Sequence, residues 1–205
     1  MRVLLWHVHG SWTTAFVQGR HEYLLPVTPD RGPDGLGRAR TWDWPASARE
    51  VSPEALREED VDVVVLQRAR DLELVRAWLG REPGREIPAV FLEHNAPGLE
   101  PHDGPVPHTR HPLADRDDIP IAHVTHFNRL FYDNGRAPTT VIEHGIVDPG
   151  ERWTGELARA AVRHYVDEPD AARLAGKAAR TAALERYGLA RFLTDWDALL
   201  EEVTR

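Results

Sequence analysis

The sequence predicts an α/β fold: a single Rossmann-like three-layer domain with a mainly parallel sheet, plus C-terminal helices packed on it. Three observations predict it. Short apolar runs alternate with helical stripes and turn signals along most of the chain, the order expected of parallel strands joined by right-handed crossovers. The run VDVVVLQ at 61–67 is β-branched and apolar on both faces, as a strand covered by helices on each side must be. A length of 205 residues suits one large domain.

Taken in order, residues 2–8 predict a buried first strand, ended by His9-Gly10-Ser11 and followed by a short helix through Phe16 and Val17. Residues 21–27 predict a second strand, with Pro26 near its end. Residues 28–50 are rich in glycine and proline, carry the motif TWDWP, and read as a long loop, a feature that is usually functional or mobile inside a domain. Ser52-Pro53 predicts a short helix to about Glu59, a capping hydroxyl followed by proline in the first turn. After the strand at 61–67, Leu72, Val75, Trp78 and Leu79 form a helical stripe that stops at Gly80. Residues 87–92 predict a strand that runs into Glu93-His94-Asn95, and 96–118 a second, proline-rich loop. A strand at 119–125 precedes a helix with Phe127, Leu130 and Phe131 that ends near Asn134-Gly135, and 139–144 predict a last strand. Pro169 opens an alanine-rich helix that Gly188 closes. The final helix places Phe192, Trp196, Leu199, Leu200 and Val203 on one face, and such a stripe must bury against something.

Composition narrows the function. The net charge is −8, with no basic stripe, which argues against nucleic acid and anionic membranes as partners. No apolar run reaches the length of a membrane span. The opening MRVLLWHVHG is too short and too rich in histidine to read as a signal peptide. With no cysteine, disulfides and thiol catalysis are excluded, and a cytoplasmic location fits.

Open parallel sheets bind ligands beyond the C-terminal ends of their strands. Those ends carry His9-Gly10-Ser11, Gln67-Arg68, Glu93-His94-Asn95, Thr125-His126 and Glu143-His144-Gly145. Each residue alone reads as an ordinary polar strand end, but their convergence on one edge predicts a site. His94 is the candidate catalytic residue, as a general base or as a hydrogen-bond partner of a reacting sugar. His9, Gly10, Ser11, Trp12, Thr13, Asn95, His126, Asn128, His144 and Gly145 are the candidate ligand-binding residues. Gly10 reads equally as a ligand loop or a plain strand-to-helix turn, and no G-x-G-x-x-G fingerprint accompanies it. Trp42 and Trp44 read as anchors of their loop or as a stacking platform, the anchors being preferred. His108 and His111 are three apart in a proline-rich loop, no H-E-x-x-H pattern exists, and no metal is expected. No cofactor is expected either.

These residues carry a family resemblance. Thr125-His126-Phe127-Asn128, continuing to VIEHGIVDPG at 141–150, resembles the stretch of retaining, group 1-like GT-B glycosyltransferases that enters the linker between their two Rossmann-like halves, with Glu143-His144 in place of the usual Pro-Asn. PAVFLEHN at 88–95 resembles the family strand that ends in a histidine facing donor and acceptor sugars, and that role falls on His94. The turn at His9-Gly10-Ser11 resembles the family's glycine-rich loop, with one glycine fewer. AGKAARTAALERYGLARFLTDWDALL resembles the closing helices, the last of which crosses back onto the first half. The resemblance covers about 1–150 and 167–205, so residues 1–150 are expected to form the acceptor-side domain, 151–166 a junction, and 167–205 docking helices. Seventeen residues separate Pro149 from Asp167, where a second Rossmann-like domain needs on the order of 100–150. The pairs Glu50/Glu58 and Glu143/Glu151 have the spacing of the family's Glu-x7-Glu motif without its context.

The resemblance therefore implies an acceptor-side half whose donor domain is missing. Its partners would be a sugar acceptor and, in the parent family, a nucleotide-sugar donor, with little transfer by this chain alone. The open crevice would also offer a surface for a homodimer. Three other readings stand beside it: a non-catalytic folding or binding module, a flavodoxin-like domain for a nucleotide or phosphorylated ligand, and a metal-dependent hydrolase using the histidines.

Overall fold

The computed structural model describes residues 1–97, 109–148, 150 and 168–205. The expected junction at 151–166, and residues 98–108 of the loop 96–118, His108 among them, lie outside the described residues. The strands are β1 (Arg2–Leu5), β2 (Glu22–Pro26), β3 (Ala48–Val51), β4 (Val63–Leu66), β5 (Ala89–Glu93), β6 (Ile121–His123) and β7 (Thr139–Val141). They form one seven-stranded sheet in the order β3-β2-β1-β4-β5-β6-β7, with every neighbouring pair parallel. The helices are α1 (Gly10–Phe16), α2 (Ala69–Leu79), α3 (His126–Phe131), α4 (Pro169–Tyr187) and α5 (Leu189–Val203), with a 3₁₀ turn at Ala55–Glu58. The chain is thus an α/β, Rossmann-like three-layer domain. Its strand order reverses between β1 and β4, which makes their C-terminal ends the switch-point crevice.

Each sheet face has its own core. Val3, Leu5, Val63, Val65, Val90 and Leu92 point to one side, where α1 and α5 cover them. Leu4, Val64, Leu66, Phe91 and Ile121 point to the other, under α2 and the 3₁₀ turn. This alternation is the period of two of a strand buried on both faces.

The predicted elements change in four places. Residues 28–50 are not loop throughout, because β3 begins at Ala48. It is an edge strand whose only apolar residues are Ala48 and Val51; between them Arg49 bonds Glu22 and Glu59, and Glu50 bonds Arg31. Charged edges of this kind lack a β-branched run. The first strand stops at Leu5, since Val8 N–H turns back onto the Trp6 carbonyl at 3.1 Å while that same carbonyl takes the Gln67 amide at 2.6 Å. The helix after Ser52-Pro53 is only a 3₁₀ turn. In α3 the expected apolar face points outward: Phe127, Leu130 and Phe131 are 55%, 80% and 49% exposed, while the buried residue is Asn128.

The C-terminal helices behave differently from each other. α5 buries Phe192, Trp196, Leu199 and Leu200, with Trp196 edge-on to Trp12 at 5.3 Å and to Phe16 at 5.1 Å. Next to Trp196, Asp197 takes His21 Nε2 at 2.8 Å and Arg20 at 3.0 Å. α4 buries none of its residues. The chain meets itself where these helices join, because Ile146 N–H donates to the Tyr187 carbonyl at 2.9 Å and Ile146 pairs with Gly188.

Candidate functional site

Three of the predicted histidines meet at the C-terminal edge of the sheet. The ring of His9, just past β1, stacks on that of His94, just past β5, with centroids 3.8 Å apart and planes 18° from parallel. His144, past β7, packs edge-on against His94 at 4.6 Å.

Each imidazole is placed by a different brace. The His9 carbonyl accepts from the backbone N–H and the hydroxyl of Thr13, both at 2.9 Å. The carbonyls of His94 and Asn95 share the Asn128 side-chain amide at 3.2 and 3.1 Å, and Asn128 is itself held by Thr125. The carbonyls of Glu143 and His144 accept from Arg191 of α5 at 2.7 and 3.3 Å. The docked last helix therefore builds one arm of the site.

Burial depresses all three imidazoles. His94 falls to about 3, through desolvation first and then the neighbouring His9 and His144. His9 is lowered by desolvation, partly offset by the Glu93 charge and reinforced by His144. His144 is lowered by desolvation alone. The trio is neutral at pH 7, and each ring offers one N–H donor and one lone pair. Among the described residues His94 Nε2 is buried without a hydrogen-bond partner, as is Gln67 Oε1 at the end of β4. Trp6, Trp12 and Trp196 likewise leave their indole N–H groups unpartnered inside the core, so it is the place of His94 at the strand-end edge that makes its Nε2 a candidate ligand contact.

Behind the trio lies a second polar cluster. Glu93 accepts from His111 Nε2 at 3.0 Å and from the Asn95 N–H at 2.7 Å. His111 Nδ1 accepts from the Leu113 N–H at 3.0 Å, which leaves the ring proton on Nε2, facing Glu93. Tyr132 is pushed up to about 12, by burial first and then by the nearby Glu93 carboxylate. Glu93, His111 and His123 are all buried. Sequence reasoning named none of this cluster as functional except through the motif Glu93-His94-Asn95.

The remaining candidates separate. Ser11, Asn95 and His126 are exposed at the same edge. A Cβ at Gly10 would meet only His7 Nε2 at 3.6 Å, so its backbone is open to approach. Four expectations are corrected. Trp12 is fully buried, stacked on Phe16 at 4.6 Å in the α1–α5 core, because α1 turns that face inward. Thr13 is also buried and spends its hydroxyl on His9. Asn128 is a brace, with both ends of its amide engaged. Gly145 is a packing glycine: a Cβ there would lie 2.4 Å from Phe192 Cγ and 2.5 Å from its Cβ. Gly145→Ala should therefore destabilise the protein by about 1–3 kcal/mol through overpacking, while Gly10→Ala changes the melting temperature little. Equal melting temperatures for the two variants would contradict this assignment. Arg191, which no motif marked, is the positioning residue that sequence reasoning missed; it acts on backbone carbonyls more than forty positions away.

The depressed histidines have a pH signature. Their folded values lie below the ordinary imidazole value of about 6.5, so the stability they contribute is full above pH 6.5. It is lost as pH falls from there toward about 3, the value of His94. Each such group adds at most ~1.4 kcal/mol per pH unit in that window, and roughly half that once solvent screening at a half-buried site is counted. His94→Gln should flatten the dependence of melting temperature on pH between 6.5 and 4; an unchanged slope would contradict the neutral assignment.

Among the described residues no group of three or more histidine, aspartate or glutamate side chains is arranged to hold a metal ion, and no helix is long and apolar enough to cross a membrane. Comparison with known protein families, with characterised proteins and with solved structures finds no match to this chain.

Proposed function

We propose that this chain is the acceptor-side half of a GT-B-type glycosyltransferase, a domain that binds a sugar acceptor at its histidine edge and does not transfer sugar by itself. The observation that carries the reading is the buried, unpartnered Nε2 of His94 between His9 and His144 at the switch-point edge. Neutral imidazoles suit an uncharged ligand. They donate to and accept from hydroxyls without demanding a counter-ion, and a value near 3 makes His94 too weak a base for proton abstraction, so its role in this reading is to hydrogen-bond the acceptor.

The connectivity supports the same reading. Ile146 donates to the Tyr187 carbonyl and pairs with Gly188, so a domain joined between these points can be present or missing without disturbing the sheet. α5 then crosses back to complete the core of the first half. The departing diphosphate of a nucleotide sugar requires preorganised positive charge, and the histidine edge supplies only neutral rings.

Purified protein mixed with nucleotide sugars and an acceptor panel should therefore show binding of acceptor and no turnover above the uncatalysed rate. Steady release of nucleoside diphosphate that is lost in His94→Ala would overturn the half-enzyme reading.

A further inference from the structure

A cleft of about 600 Å³ opens beside the histidine edge, lined by His7, Arg31, Leu36, Arg38, Arg40 and Trp42 among others. Its wall is the loop that carries TWDWP, and the structure gives the two tryptophans of that motif opposite roles. Trp44 is buried, donates its indole N–H to Thr14 at 2.8 Å and packs on His7 at 4.8 Å; it anchors the loop. Trp42 is 51% exposed and faces the cleft.

The arginines divide in the same way. Arg31 is spent on a two-pronged pair with Glu50 at 2.8 and 2.9 Å. Arg38 is tied to the carbonyls of Trp44, Pro45 and Ala48, which fix the guanidinium without neutralising its charge. Arg40 is exposed and makes no hydrogen bond or ion pair among the described residues. His7 donates Nδ1–H to the Gly37 carbonyl at 3.0 Å, since a carbonyl only accepts. Its Nε2 lone pair is thereby fixed beside Gly10, the residue after His9. The cleft thus borders the turn that leads into the histidine site.

We propose that this cleft is a subsite for an acceptor sugar bearing one anionic group, a phosphate or a carboxylate, with its ring on Trp42 and its anion on Arg40 in the field of Arg38. This rests on the acceptor-half reading and names the class of acceptor. An indole face packs the C–H face of a sugar ring, and a guanidinium is the preferred partner of a phosphate or carboxylate. Asp30 lines the same wall. Its carboxylate can accept sugar hydroxyls, and it disfavours a second or third anionic group, which sets a sugar with a single anionic group ahead of a nucleoside diphosphate.

Titration calorimetry on the full chain at low salt tests this, with glucose 6-phosphate, glucuronate, methyl glucoside, inorganic phosphate and adenosine monophosphate as probes. The two anionic sugars should bind at least about ten-fold tighter than methyl glucoside, the scale of one charge-assisted bond. Arg40→Gln should erase that difference. Trp42→Ala should weaken all three sugars about ten-fold and leave inorganic phosphate unchanged. Both residues are exposed, so neither variant is expected to unfold. Equal affinity for charged and neutral sugars, retention of the difference in Arg40→Gln, or tighter binding of adenosine monophosphate than of glucose 6-phosphate would overturn the proposal. His94→Ala separates it from the acceptor-half reading. If that variant weakens every sugar while Arg40→Gln does nothing, the cleft assignment fails and the histidine site stands. If Arg40→Gln and Trp42→Ala act as described and His94→Ala does nothing, the cleft stands and the histidine site fails.

Discussion

A chain ending at Tyr187 should not fold. The core on the α1 face of the sheet is closed by α5, whose Phe192, Trp196, Leu199 and Leu200 are buried against Trp12, Phe16 and the strands. Burying side chains of this size stabilises by about 1.5–3 kcal/mol each, so removing four of them withdraws on the order of 10 kcal/mol. That is comparable with the whole stability of an ordinary domain, roughly 5–15 kcal/mol. The truncation would also uncover Trp12 and Phe16 and strip the partners from His21 and Arg20. Far-ultraviolet circular dichroism and a thermal melt of the protein without residues 188–205 check this. A truncated chain that melts cooperatively at the full-length temperature would show that α5 is an ornament. The point variant Trp196→Ala is the milder form of the experiment, with an expected loss of about 3–5 kcal/mol.

The second large effect is expected at Glu93. Its carboxylate is buried and collects two donors, His111 Nε2–H and the Asn95 N–H. Glu93→Ala leaves those donors without an acceptor, and each buried, unsatisfied group costs about 1–3 kcal/mol. Allowing for partial recovery by water, the loss should be about 3 kcal/mol in chemical denaturation, with Glu93→Gln intermediate. Glu93 also ties down the start of the segment that carries His94 and Asn95. Sugar binding should therefore weaken further than in a variant of equal stability loss elsewhere, such as Leu74→Ala within α2. A Glu93→Ala protein as stable as the parent would mean that the cluster is solvated rather than structural.

How far the residues alone announced this structure follows from where each sits. β1, β4 and β5 are buried on both faces, so their apolar runs are continuous and readable. β3 is an edge strand in which salt bridges replace apolar contacts, and its pattern resembles loop. The C-terminal stripe from Phe192 to Leu200 demanded a partner, and the core at Trp12 and Phe16 supplies it. α3 misleads because its aromatic residues lie outward and stack on each other at 4.1 Å, while its buried residue is a polar brace. In the site, His9, His94 and His144 were legible because strand ends in a parallel sheet converge on one edge. The braces Thr13, Asn128 and Arg191 were not separable from ligand-binding residues, because a side chain bonded to a backbone carbonyl leaves no periodic or spacing signal. The role of Gly145 is invisible for a related reason: it depends on Phe192, which meets it only after α5 has docked.

The most direct test of the account is an NMR titration of the imidazole nitrogens, with nuclei of His9, His94 and His144 assigned through single substitutions. The account predicts that these three rings are neutral at pH 7, that His94 stays neutral down to about pH 4, and that saturating sugar shifts all three while the His21 ring, held on Asp197 away from the crevice, stays put. Protonation of His94 near pH 6.5, or a trio that no sugar perturbs, would contradict it.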